Sequence, residues 1–141
     1  MPLTLPLLAK AIERIVGGSL DDCIVAVWGL TFKARTDDLR DSPSLSVIER
    51  LVARGAHVRA YDPAVKALPP GGPEIEVCAD PYAACNDAAV LVVLTEWDDF
   101  RWLDFDKVAA ALTAPRIVDA RNLLDPAKLR RRGFDYVGVG R

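Results

Sequence analysis

The polarity of the chain changes period several times, and each change marks an element. From Pro6 to Val16 the apolar residues Leu8, Ile12, Ile15 and Val16 recur at helical steps on one face, and Gly17-Gly18 follows as a C-terminal cap would. After Asp21-Asp22 that period is lost. Cys23-Ile24-Val25-Ala26-Val27-Trp28 is apolar on both faces, as a buried parallel strand must be, and stops at Gly29. A helix is predicted from Pro43 to about Arg54, with Ser42 as N-cap and Pro43 at the first helical position. Leu45, Ile48, Leu51 and Val52 form its buried stripe, and Gly55 lies beyond its end. His57-Val58-Arg59-Ala60-Tyr61 reads as the second strand. Leu68-Pro69-Pro70-Gly71-Gly72-Pro73 is a loop, and Ile75-Glu76-Val77 a short edge strand. Ala88 to Leu94 is the strongest buried strand, Pro115 to Asp119 a further one, and Phe134 to Val137 the last, behind a helix that ends at Gly133. Asp62-Pro63, Asp80-Pro81 and Asp125-Pro126 each read as a cap followed by a helix-starting proline.

Strands separated by helical segments of roughly ten to fifteen residues imply right-handed crossovers. The expected fold is therefore α/β, a Rossmann-like, doubly wound, mainly parallel sheet preceded by one N-terminal helix. No internal repeat or low-complexity tract interrupts it. The 141 residues suit one domain, which at this size buries about 68 to 70% of its unfolded surface and needs no disulfide or metal staple. The terminal helix carries more apolar surface than the edge of a small domain usually covers, so either it packs back on its own core or it meets something outside this chain.

Charge narrows the function classes. Eighteen basic residues oppose twenty acidic ones, a net charge of −2, with no long run of one sign. Nucleic acid and anionic membrane surfaces are thereby disfavoured as partners. The apolar start Met1 to Leu8 has no basic n-region and meets Lys10, Glu13 and Arg14 at once, which argues against export. Cys23, Cys78 and Cys85 are odd in number and form no Cys-x-x-Cys pair, which fits a reducing cytoplasm. His57 is the single histidine and sits inside a predicted strand, so no multi-histidine metal site and no Ser-His-Asp triad is expected.

In open α/β sheets ligands bind beyond the carboxyl ends of the strands. Three segments should share that rim: Gly29 to Asp41, Thr95-Glu96-Trp97, and Ala120-Arg121-Asn122. A rim bearing Lys33, Arg35, Arg40 and Arg121 on a nearly neutral chain suits an anionic small molecule, phosphates above all. A solvated or locally paired side chain is the competing reading of each cation. The first turn has the single glycine Gly29 and no Gly-x-Gly-x-x-Gly, so this domain should not clamp a dinucleotide by itself. Asp62 stands where a ribose-binding acid would, but a turn or cap is the favoured reading. Cys85, with no histidine nearby, reads as a buried thiol, and Trp97, Phe100 and Trp102 as a short helix packed on the sheet.

Gly29-Leu30-Thr31-Phe32-Lys33, Thr36-Asp37-Asp38-Leu39-Arg40-Asp41-Ser42-Pro43, Tyr61-Asp62-Pro63, Thr95-Glu96-Trp97 and Asp119-Ala120-Arg121-Asn122, in that order, strongly resemble the C-terminal domain of the UDP-glucose/GDP-mannose dehydrogenases. The likeness runs from about Ile24 to the end. Phe100-Arg101 and the run Asp119 to Asp125 look most like the UDP-glucose 6-dehydrogenase branch, with GDP-mannose and UDP-N-acetylmannosamine dehydrogenases as the alternatives. The resemblance implies a parent enzyme of three parts: an NAD-binding domain, a central domain that makes the homodimer and holds the catalytic cysteine, and a domain that binds the UDP-sugar. Only the third is matched, so no catalytic residue is expected here. It further implies that residues 1–20 are the end of an interdomain linker helix and 21–141 the UDP-sugar-binding domain. The parent reaction would be a two-step NAD-dependent oxidation of UDP-glucose to UDP-glucuronate, which feeds polysaccharide biosynthesis. By motif match Phe32, Lys33 and Arg121 bind the UDP-sugar and Arg40 reaches the NAD, while Arg35 and Asp38 are charges of a partly solvated loop. The reading from another class is a stand-alone, non-catalytic Rossmann-like module that binds a nucleotide or a protein.

Overall fold

The computed structural model describes residues 5–31, 39 and 42–138. Its elements run α1 (Leu5–Ile15), β1 (Ile24–Trp28), α2 (Pro43–Ala53), β2 (His57–Tyr61), β3 (Glu76–Val77), α3 (Pro81–Cys85), β4 (Val90–Val93), a 3-10 turn (Asp98–Trp102), α4 (Phe105–Ala111), β5 (Arg116–Asp119), α5 (Pro126–Arg131) and β6 (Asp135–Gly138). The strands form one six-stranded sheet in the order β3-β2-β1-β4-β5-β6, and every neighbouring pair is parallel. That is the doubly wound order, and its direction reverses between β1 and β4.

Alternation along each strand divides the core in two. Val25 and Val27 of β1, with Val90, Val92 and Val118, face Ile48 and Leu51 of α2 and Leu8, Ala9 and Ile12 of α1. Ala26 and Trp28, with Leu91, Val93 and Ile117, face Phe100, Phe105, Val108, Leu129 and Phe134 on the other side. Both sheet faces are thus covered, which accounts for the unbroken apolar runs of β1 and β4.

The terminal helix packs back on its own core. Leu8 and Ile12 are buried, α1 lies against α2, β4 and β5, and Glu13 Oε1 meets Arg54 Nε at 3.1 Å. Its apolar face is therefore covered within the chain. Asp80 and Asp125 cap α3 and α5 as their Asp-Pro pairs predict, Asp80 accepting from the amides of Tyr82 and Ala83, and Asp125 from that of Lys128. Asp62-Pro63 starts no helix. Ser42 stands at the N-cap position of α2, but its hydroxyl makes no capping bond and donates to the Leu30 carbonyl at 2.7 Å. α4, capped by Asp104, is an element the sequence pattern did not single out.

Candidate functional site

Parallel pairing fixes where the rim lies. The register aligns Tyr61, Trp28, Val93, Asp119 and Gly138 across the sheet, so the residues that follow them leave the strands on one edge. At the reversal point β1 and β4 come close together. Gly29 has φ +106°, and a Cβ there would collide with the Thr95 hydroxyl and lie 2.7 Å from the Thr95 backbone nitrogen. Only glycine fits that approach.

This contact bears on dinucleotide binding. The space that a glycine leaves for a pyrophosphate in a nucleotide cradle is filled here by Thr95. The acid at the end of β2 is also engaged. Asp62 is 3% exposed; its Oδ2 accepts from the amides of Leu30 (2.8 Å) and Thr31 (3.3 Å), and its Oδ1 from that of Ala64 (2.8 Å). The described residues at the β1–β2 end therefore do not fit an NAD site. The turn reading of Asp62 holds, with the added role of fastening the segment after β1.

The rim has one well-defined cationic group among the described residues that were expected to bind. Arg121 follows β5, and its guanidinium Nη2 is 2.7 Å from Glu96 Oε1 on the segment after β4. The two side chains are 38% and 52% exposed, so the pair is wet and contributes little to stability. It links the guanidinium to the segment after β4, and the arginine side chain stays 38% exposed. The backbone beneath is fixed more firmly. Asp119 is fully buried; its Oδ1 accepts from the Arg121 amide at 3.1 Å, and its Oδ2 accepts from the Leu124 amide and the Tyr136 hydroxyl, each at 2.8 Å. Asn122, next in line, takes φ +55°, which asparagine tolerates better than most residues. One carboxylate thus ties β5, the turn carrying Arg121, and β6 together.

Phe32, Lys33, Arg35, Asp38 and Arg40 lie outside the described residues. Glu96, which meets Arg121, and Asp119, which builds its turn, were quoted in motifs without a role. An acid closing an otherwise apolar strand, Ile117-Val118-Asp119, is the signal that marks the second. Phe100 packs on Trp28 with ring centroids 5.3 Å apart, as expected, but Trp102 does not pack on the sheet: it is 78% exposed. It stands beside a cavity of about 550 Å³ between the Arg101–Asp106 stretch and the Asn122–Arg132 segment.

Cys85 is fully buried, and burial pushes its thiol up to about 12, so it is a protonated core group at neutral pH and no nucleophile. Burial also raises the Cys78 thiol. All three cysteines are free, and no group of metal-ligating side chains occurs among the described residues. No helix among them is long and apolar enough to cross a membrane.

A doubly wound, all-parallel sheet with helices on both faces, its carboxyl rim carrying the partly exposed Arg121, defines a Rossmann-like α/β domain. More narrowly, the chain belongs to the UDP-glucose/GDP-mannose dehydrogenase family, whose UDP binding domain matches residues 26–126. It is 42% identical to the UDP-glucose 6-dehydrogenase of Pseudomonas aeruginosa over 96% of its own length and 31% of that protein. Among solved structures it resembles the NDP-N-acetyl-D-galactosaminuronic acid dehydrogenase of Methanosarcina mazei, with a TM-score of 0.84 and 27% identity over 97% of this chain and 28% of that one. The UDP-glucose dehydrogenase of Pyrobaculum islandicum is similar too, with a TM-score of 0.71 and 27% identity over 96% and 29%. The chain therefore spans about a third of the length of the proteins it matches.

Proposed function

We propose that this chain binds a UDP-sugar as the substrate-gripping C-terminal domain of an NAD-dependent UDP-glucose 6-dehydrogenase. The observation that supports this reading is Arg121 at the carboxyl edge of β5, its backbone amide bonded to Asp119, its guanidinium paired with Glu96 and its side chain 38% exposed. A diphosphate offers such a guanidinium charge-assisted, bidentate acceptors. Phe32 and Lys33 join Arg121 on the sugar nucleotide, and Arg40 reaches across to the NAD; these three roles rest on the motif resemblance. Residues 1–20, which include α1, belong to the end of the interdomain linker and residues 21–141 to the binding domain. The cofactor's main site and the reacting cysteine belong to the domains that relatives carry outside the matched third. In the assembled homodimer this chain orients the UDP-sugar and excludes water by closing over it. Its place is the cytoplasm, where free cysteines persist, supplying UDP-glucuronate for polysaccharide synthesis.

The test is to join this chain to the NAD-binding and central domains of a relative and assay NADH formation against UDP- and GDP-sugars. UDP-glucose should give the highest kcat/KM, and the chain alone should give no turnover. A preference for GDP-mannose, or turnover by the 141-residue chain itself, would contradict the reading. UDP-sugar binding without turnover in the joined protein would favour a stand-alone binding module.

A further inference from the structure

Two side chains that stand where helix caps usually stand are turned to another use, and both meet the same residue. Ser42 occupies the N-cap position of α2, yet its hydroxyl makes no capping bond and donates to the Leu30 carbonyl at 2.7 Å. Asp62 precedes a proline, yet starts no helix; its Oδ2 accepts from the Leu30 amide at 2.8 Å and the Thr31 amide at 3.3 Å. Both side chains belong to buried residues, each 3% exposed, where hydrogen bonds are stronger than at the surface. Capping is the ordinary stabilising use of such a serine, so its diversion to Leu30 calls for a reason.

Leu30 is thereby clamped through both of its backbone groups, its amide by the end of β2 and its carbonyl by the start of α2. Gly29, just before it, is fixed as well. Its amide donates to the Tyr61 carbonyl at 2.8 Å, and its bare Cα lies against Thr95. Gly29, Leu30 and Thr31 therefore leave β1 along a path set by β2, α2 and the segment after β4, and the next two residues in the chain are Phe32 and Lys33. A cap would have served the stability of α2; a clamp on the backbone immediately ahead of binding side chains serves their placement, which a shift of about 1 Å can spoil.

We infer that Asp62 and Ser42 are positioning residues for the sugar nucleotide: by clamping Leu30 they fix where Phe32 and Lys33 begin. The inference rests on the reading that those two residues bind the UDP-sugar. Asp62 and Ser42 act through the backbone and not by contact with the ligand. Backbone ordered before the ligand arrives need not be ordered at its expense, which raises affinity.

Ser42→Ala in the joined enzyme tests this, because α2 loses no capping bond by the change. The KM for the UDP-sugar should rise roughly threefold to tenfold, the range of one neutral hydrogen bond. Asp62→Asn, which leaves one acceptor oxygen where there were two, should move the same constant in the same direction. The rise must run through Phe32 and Lys33. In a Phe32→Ala/Lys33→Ala background, Ser42→Ala should therefore leave the KM unchanged, whereas in an Arg121→Ala background it should raise it by the same factor as in the parent. An unchanged KM in Ser42→Ala, or an equal factor in both backgrounds, would overturn the inference and leave the sugar-nucleotide reading intact. A Phe32→Ala/Lys33→Ala enzyme with the parent's KM would overturn the reading of those two residues and the inference with it.

Discussion

Asp119→Ala is expected to destabilise the chain by about 3 to 6 kcal/mol. The carboxylate is fully buried and accepts three hydrogen bonds, two of them, from the Leu124 amide and the Tyr136 hydroxyl, in fully buried surroundings. Hydrogen bonds to a charged group contribute about 1.5 to 3 kcal/mol each, which gives the range for those two. Tyr136→Phe removes one donor and leaves the carboxylate with two amides, so its cost should stay near the lower end of a single such bond, about 1.5 kcal/mol. Urea unfolding of both variants orders them. Equal losses would mean that the carboxylate does not organise the turn carrying Arg121. The same substitution should weaken ligand binding at Arg121, because the amide of that residue is one of the three donors.

Trp28→Ala is expected to cost about 3 to 5 kcal/mol, as large-to-small changes at buried aromatics do. Trp28 has no exposed surface and packs on Phe100 and Phe105 with centroid distances of 5.3 and 6.1 Å. Its indole Nε1 also donates to the Pro81 carbonyl at 3.1 Å, fastening β1 to the start of α3. Trp28→Phe keeps much of the packing and loses that bond, so about half the effect or less should remain. Since a domain's whole stability is about 5 to 15 kcal/mol, the alanine variant should unfold at a far lower denaturant midpoint. A midpoint within error of the parent's would show that the second core does not depend on this ring.

The strands were the most legible part of the sequence because burial on both faces leaves an unbroken apolar signature. β2 was bounded at His57 and Tyr61 as expected, and β1 and β4 fell within their predicted runs. Asp62-Pro63 was read both as a helix start and as a turn, because the dipeptide suits either, and the turn held. What decided it was the pair of amides at Leu30 and Thr31, which lie far from Asp62 in sequence. Ser42 was placed correctly but spends its hydroxyl on Leu30 instead of the helix end. Trp102 looked like Phe100 in composition, yet one points into the sheet and the other into solvent, a difference set by the turn's geometry. At the rim, the position of Arg121 was legible because it lies two residues past the end of β5. Its pairing with Glu96 needed β4 and β5 to be neighbours, which only the strand order reveals.

The central claim is that the edge at Arg121 holds the sugar nucleotide, and steady-state kinetics of Arg121→Ala in the joined enzyme test it most directly. One or two charge-assisted bonds correspond to a rise in the KM for the UDP-sugar of roughly ten- to a hundredfold, since about 1.4 kcal/mol is tenfold. The KM for NAD should change far less. Arg40→Ala, whose assigned partner is the cofactor, should show the reverse, which controls for general damage to the domain. An unchanged KM for the UDP-sugar in Arg121→Ala, or equal effects of both variants on both ligands at unchanged thermal stability, would contradict the account.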